Sequence, residues 1–219
     1  MSAYDDGAGF FGRLYDPLME LPENLGLGRL RAQTLRGMRE RVLELGIGTG
    51  RNIPLYPPSV ERLHEIDPDE AMLSRARRTE EAAFPVELVA GSAEELPFDD
   101  QGFDAVSATL AFCTIPHPAE ALLEARRVLK GGGELRLLEH VSMEHRPIGW
   151  LQEKATPLWK RVAGGCHLDR DTLALVHEAG FEVERVERHL DGLVLAVFAR
   201  SSRAETTATR RTANRGTGS

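Results

Sequence analysis

The sequence is short of cysteine, of basic charge and of long apolar runs, and each shortage excludes a class of protein. Only two cysteines occur in 219 residues, Cys113 and Cys166. So distant a pair supplies neither a disulfide framework nor a zinc knuckle, so no metal site is expected and a reducing cytoplasmic setting is. No apolar run approaches the ~18 residues of a membrane-spanning helix. Met1 to Phe10 carries Asp5 and Asp6 without a basic cluster, unlike a secretory leader. Against 34 acidic side chains there are 27 basic ones, a net charge of −7. Duplex nucleic acid, which calls for a basic face, is therefore not an expected partner. Lysine is the scarcer base, three against 24 arginines, which reads as a codon bias rather than a functional one.

What remains is ample for one folded unit. With 42% hydrophobic residues the chain can bury a core, and its length suits a single α/β domain over residues 1–200. From residue 201 onward the composition changes. Four arginines and one glutamate give this tail +3, so residues 1–200 carry −10. Its uncharged members are no bulkier than threonine, too little apolar surface to offset ordering, and it is expected to be disordered.

Between Arg41 and Arg200 strand and helix signals alternate. Apolar β-type runs lie at Val42–Leu45, Val60–Ile66, Val86–Ala90, Phe103–Ala108 and Glu134–Val141, with helical patterns at Asp69–Ala82 and His117–Leu129. That alternation predicts βαβ units and a parallel sheet. A last helix, for which Asp169 is the expected N-cap, runs from about Asp171 to Ala179 and stops at Gly180. Phe181–His189 and Leu193–Ala199 then flank Leu190-Asp191-Gly192, a hairpin signal, so the sheet should end in an antiparallel pair. Arg127 to Gly133 reads as a helix end followed by glycines before a new strand. Residues 1–40 read as a flap of two helices around a Pro22–Asn24 turn, and 142–168 as a lid-like insertion.

The chemistry begins at Arg41–Gly50, RVLELGIGTG, where a strand runs into a glycine-rich turn. Such a turn admits a ligand to the backbone and aims helix N–H groups at an anion. A dinucleotide fingerprint needs glycine at position 51, and Arg51 stands there. This disfavours a nicotinamide oxidoreductase and favours a nucleoside cofactor with a smaller anion. Asp67 ends the second strand, 21 residues after Gly46, where a carboxylate can accept both ribose hydroxyls; the competing reading is a helix cap.

The motifs VLELGIGTG, IDP with Met72 beyond it, GSAEELPF, FDAV and RVLKGGG, in this order, resemble those of the class I S-adenosylmethionine-dependent methyltransferases over residues 41–141. The resemblance implies a doubly wound, mostly parallel seven-stranded sheet with an antiparallel C-terminal hairpin and a helical N-terminal flap. It implies S-adenosyl-L-methionine as cofactor, held by Glu44, Gly46, Ile47, Gly48, Gly50, Asp67, Met72, Ser92, Ala93, Glu94 and Leu110, with Tyr15 reaching in from the flap. Ser92 stands where many relatives carry an acid facing the adenine amino group; a hydroxyl can still accept that bond.

A narrower set is Tyr56-Pro57-Pro58, Cys113, LLEHV at 137–141, Gln152, Pro157, Trp159 and GGCHLDR at 164–170. It is similar to the branch containing the animal alkyl-thiol methyltransferases and bacterial small-molecule and phospholipid methyltransferases. The animal members carry a hydrophobic N-terminal anchor that this sequence does not show, so membrane attachment is not expected, although Trp150 and Trp159 with nearby cations leave peripheral contact open. The expected acceptor is a small molecule, a thiol first, with a phospholipid or quinone as alternative. A non-catalytic S-adenosylmethionine-binding regulator is the alternative of another class. For proton handling, Glu139 and His140, ending the fifth strand at the ligand-binding edge, are the candidates.

Overall fold

A computed structural model of the chain describes residues 20–78, 82–140 and 170–202. Tyr15, the 142–168 insertion with Cys166 and His167, Asp169, and the tail from 203 onward lie outside the described residues.

Seven strands form one sheet: β1 (Glu40–Leu45), β2 (Val60–Asp67), β3 (Val86–Ala90), β4 (Phe103–Thr109), β5 (Leu129–His140), β6 (Phe181–His189) and β7 (Val194–Ser201). Their spatial order is β3-β2-β1-β4-β5-β7-β6, with β7 antiparallel to both β5 and β6. This is the doubly wound arrangement with a reversed C-terminal hairpin that the sequence predicts. The central strands are apolar because helices cover both faces: Val42, Leu43 and Leu45 are fully buried. Edge strand β6 instead alternates charge with half-buried apolar residues.

Helices α1 (Gly28–Leu35) and α2 (Glu70–Ala76) lie on one face, and α3 (Pro118–Val128) and α4 (Thr172–Glu178) on the other. α1 buries Arg31, Thr34 and Leu35 one and two turns after buried Leu27, so a single stripe faces the sheet. Leu27 meets Leu138, Val194, Ala196 and Phe198, while Leu35 meets Val42, Leu63 and Ala105. α1 thus crosses the sheet face from β7 to β1.

Three local expectations are corrected. The two helices expected here do meet at a break, but it is a kink at Gly26, φ 129°, and not a turn at Pro22–Asn24, where Pro22 sits at φ −56°, a helical value. α4 is capped by Asp171, whose carboxylate accepts from Ala174 N at 3.0 Å, because the helix starts later than Asp169 would allow. α3 stops at Val128, and the glycines after it already belong to β5. There the register with β4 shifts, and a side chain on Gly133 would come within 2.9–3.1 Å of Leu129, Lys130 and Asp104.

Candidate functional site

The chain leaves β1 toward β2 on one side and enters β4 on the other, so a crevice opens between the carboxyl ends of β1 and β4. This is the switch point at which open α/β sheets bind ligands. The turn after β1 and the turn after β4 form its walls, and they touch. Gly46, at φ 73°, donates to Ile66 O at 2.8 Å, and a Cβ on it would lie 2.7 Å from Ala111 Cβ. Only glycine combines that conformation with that approach. A Cβ on Gly48 would meet nothing within 4 Å, so the middle of the turn borders open space. Gly50 N donates to Ile47 O at 3.2 Å and closes the turn.

Asp67 is 8% exposed at the end of β2. Its Oδ2 accepts from Gly48 N at 3.0 Å and its Oδ1 from Asp69 N at 2.9 Å. The helix cap is Asp69, which accepts from Ala71 N at 2.8 Å. Asp67 therefore ties the glycine turn to the second strand, and burial raises its pKa. Met72 lies on the buried face of α2, and Ile47 packs with Ile53, Leu73 and Ala76. Only the backbone of Ile47 faces the turn's own hydrogen bonds. After β3, Ser92 donates to Glu94, Glu94 N donates to Ser92 Oγ at 3.2 Å, and Glu94 Oε1 accepts from His117 N at 3.2 Å. Ala93 beside them is buried in the main core.

Two groups hold the turn after β4. Glu139, fully buried in β5, accepts from Ala111 N and Phe112 N, each at 3.1 Å. Arg170 donates to Phe112 O and, at 2.5 Å, to Ile115 O. Leu110, which opens this turn, sits at φ 56° and donates to Leu138 O at 2.7 Å. That left-handed conformation is costly for a leucine, so the flanking contacts impose it. His140 ends β5 on the face that α1 crosses. Burial lowers its pKa, keeping the ring neutral at pH 7, and its Nδ1 meets no hydrogen-bond partner among the described residues.

Beneath the crevice lies a polar cluster that the sequence reading names only in part. Glu44, Glu65 and Ser107 are register neighbours on β1, β2 and β4 and share one face. Glu44 accepts from Asn52 Nδ2 and from the Tyr56 hydroxyl at 3.0 Å; Tyr56 also bonds Ser107 Oγ at 2.6 Å. Asn52 Nδ2 reaches Thr109 Oγ1 at 2.6 Å. Arg31 of α1, 4% exposed, donates through Nε to Glu23 at 2.9 Å and through Nη1 to Asn52 Oδ1 at 3.2 Å and to Thr109 Oγ1. Desolvation lifts Glu44 to a pKa of about 6. Desolvation and the charge of Glu44 raise the pKa of Glu65 well above its ordinary value, so this buried pair holds a proton more readily than exposed carboxylates do. Of this cluster, Glu44 was named from its motif, but Arg31, Asn52, Glu65 and Ser107 were not. The available signals were an acid inside an apolar strand, two residues before Asp67, and an arginine on α1's apolar stripe.

Among the described residues no group of histidine, cysteine and acid side chains could hold a metal ion, and no helix is long and apolar enough to cross a membrane. The residues present do fit S-adenosyl-L-methionine: open space at Gly48 beside a buried acid at the end of β2, and a cation–acid cluster beneath the β1–β4 crevice.

Residues 43–137 match the family model described as a methyltransferase domain. The chain is 33% identical over 160 residues to thiol S-methyltransferase TMT1B of Rattus norvegicus, covering 70% of this chain and 65% of that one. It is 38% identical over 127 residues to phosphatidylethanolamine N-methyltransferase of Cereibacter sphaeroides, covering 57% and 62%. The alignments thus span a little under two thirds of the length of these relatives. Among solved structures, a SAM-dependent methyltransferase of Thermotoga maritima superposes with a TM-score of 0.68 at 24% identity, covering 88% of this chain and 98% of that one, a likeness of fold. Sequence, topology and the crevice at the β1–β4 switch point agree, and residues 43–137 carry a methyltransferase domain with the class I, S-adenosyl-L-methionine-dependent fold.

Proposed function

We propose that the protein transfers the methyl group of S-adenosyl-L-methionine to a small-molecule acceptor, a thiol in the first instance. The observation that carries the methyltransferase reading is the tie between Asp67 and the Gly48 N–H, which sets a buried carboxylate beside the glycine turn at the switch point. The thiol rests on the likeness to thiol S-methyltransferases. When bound, the cofactor supplies an activated sulfonium methyl group.

In this reading the chain's own residues divide the work. Glu44, Gly46, Gly48, Gly50, Asp67 and the 92–94 turn hold the cofactor, and Glu139 positions the turn after β4 through Ala111 and Phe112. Alignment of the two reactants supplies most of the acceleration, on the order of 7–11 kcal/mol when the fit is good. A thiol with a pKa of about 8.5 needs little help in losing its proton. Neutral His140, whose Nδ1 meets no hydrogen-bond partner among the described residues, is the group proposed to take it, so that the products would be a thioether, S-adenosylhomocysteine and a protonated imidazole that discharges to water.

A second reading, a phospholipid amine or quinone acceptor, draws on the likeness to phosphatidylethanolamine N-methyltransferase and to the ubiquinone/menaquinone C-methyltransferase of Bartonella tribocorum. It also draws on Leu21 and Leu25, one helical turn apart and 66% and 74% exposed. Labelled methyl transfer to a panel of thiols, amines, phenols and lipid vesicles tests both. Transfer to thiols alone supports the first reading, and transfer only to vesicle lipids or quinones replaces it with the second. Tight cofactor binding with no transfer to any acceptor class would favour a regulator instead.

A further inference from the structure

We propose that Arg31, on the N-terminal helix, is a ligand-binding residue that reads the carboxylate at the amino-acid end of the cofactor; the inference rests on the methyltransferase reading above. Its guanidinium spans the switch point. Nη1 bonds both Asn52, just past the glycine turn, and Thr109, the last residue of β4, so the head lies between the two walls of the crevice. Nε is occupied by Glu23. Nη2 meets no acceptor among the described residues, although the side chain is about 95% buried. Nη2 is not among the fully buried atoms without a partner, so this edge of an otherwise fixed guanidinium borders open space and is accessible to a ligand. The planar fork favours a carboxylate for that place.

The surrounding charges fit the same ligand. Arg31 is flanked by Glu23 directly and by Glu44 through Asn52. A cation beside Glu23 complements an α-amino acid, whose carboxylate faces the guanidinium and whose ammonium faces that acid. The opposite wall, at β2 and β3, holds Asp67 and the Ser92–Glu94 turn, which suit the ribose and base. The nucleoside and amino-acid ends are thus read by different elements. α1 then belongs to the cofactor site itself, since its hold on the sheet and its hold on the ligand use the same side chain.

Two probes separate this from a purely structural role: S-adenosylhomocysteine, which carries the amino-acid end, and 5′-methylthioadenosine, which lacks it. Calorimetric titration of the full chain should show Arg31→Met weakening S-adenosylhomocysteine by at least about tenfold while changing 5′-methylthioadenosine by less than about twofold. Arg31→Lys, which keeps the charge and the packing of the stem, should fall between the two and remains informative if the methionine variant does not fold. An equal loss for both probes in the lysine variant overturns the proposal, because the arginine would then only hold α1 in place. Unchanged affinity for S-adenosylhomocysteine in either folded variant overturns it as well. If the wild-type chain binds neither probe, the methyltransferase reading itself fails, an outcome distinct from the other two.

Discussion

The two ends of the sheet both carry charged side chains and use them in opposite ways. At the amino ends of the strands the charges meet in water. Arg127 bonds Asp100 and Glu124, Lys130 bonds Asp104, and Arg200 bonds Glu184 and Glu134, with most of these side chains substantially exposed. At the carboxyl ends Arg31, Glu44, Glu65, Asp67 and Glu139 are all at most 8% exposed. They are bound to backbone, to amides and to hydroxyls or, for Glu65, lie buried beside another acid. Solvent makes the first set nearly interchangeable, while desolvation makes each member of the second depend on its neighbours. A charge becomes informative about function where the fold has spent stability to bury it.

That contrast can be broken experimentally, beginning where the effect should be largest. Asn52→Leu removes the partner shared by Arg31, Glu44 and Thr109, and is expected to destabilise the protein by about 2–4 kcal/mol in urea titrations. A loss below 1 kcal/mol, in round terms about what an exposed pair is worth, would erase the distinction between the two ends.

Next comes pH. Glu44 has a folded pKa of about 6 against an ordinary 4.5, so the native state binds that proton more tightly than the unfolded chain. Its contribution to stability is complete below about pH 4.5 and is lost as pH rises through 6, an amount of about 2 kcal/mol. Glu65, raised further, continues the decline to higher pH. Glu44→Gln should flatten the stability profile between pH 4.5 and 6, and a slope identical to wild type would place the titrating group elsewhere.

Asp67→Ala is expected to weaken S-adenosylhomocysteine binding at least tenfold, about 1.4 kcal/mol or more, because it removes the carboxylate proposed to hold the ribose and frees the Gly48 N–H. Calorimetry at wild-type affinity would take Asp67 out of the site. The smallest effect belongs to the other end. A double-mutant cycle on Arg200 and Glu184 should return a coupling under about 1 kcal/mol, with cofactor affinity unchanged. A coupling as large as that of the Asn52 cluster would mean exposure is not what separates the two ends.

What was legible in the sequence follows the same division. The strand runs, the glycine turn, the position of Asp67 at the end of β2 and the Asp191-Gly192 hairpin were readable because each rests on local conformation or on spacing along the chain, while the doubly wound sheet came through the family resemblance. The Arg31–Asn52–Thr109 bridge was not, since it joins positions 21 and 78 residues apart and exists only once α1 lies across the sheet. Glu65 looked like one polar residue in a strand; its meaning comes from lying in register with Glu44. The glycines after Val128 misled for a related reason. Next to a helix they signal an end, but here the close approach of β4 requires them inside a strand. Choosing between Asp169 and Asp171 as cap turned on a shift of two residues, which pattern alone does not resolve.

The clamp on the turn after β4 sets an order of events during synthesis. Glu139 lies on β5, which gains its second neighbour only when β7, the last strand, docks against it, and Arg170 is made 55 or more residues after the carbonyls it holds. A ribosome-bound chain ending before residue 170 lacks the arginine, and one ending before 194 lacks the strand that flanks β5. The glycine turn and Asp67 emerge early, yet the crevice proposed to hold the cofactor is completed only after β7 is made. The nascent chain should therefore stay unable to capture cofactor until Arg170 and the strand that begins at Val194 have left the exit tunnel.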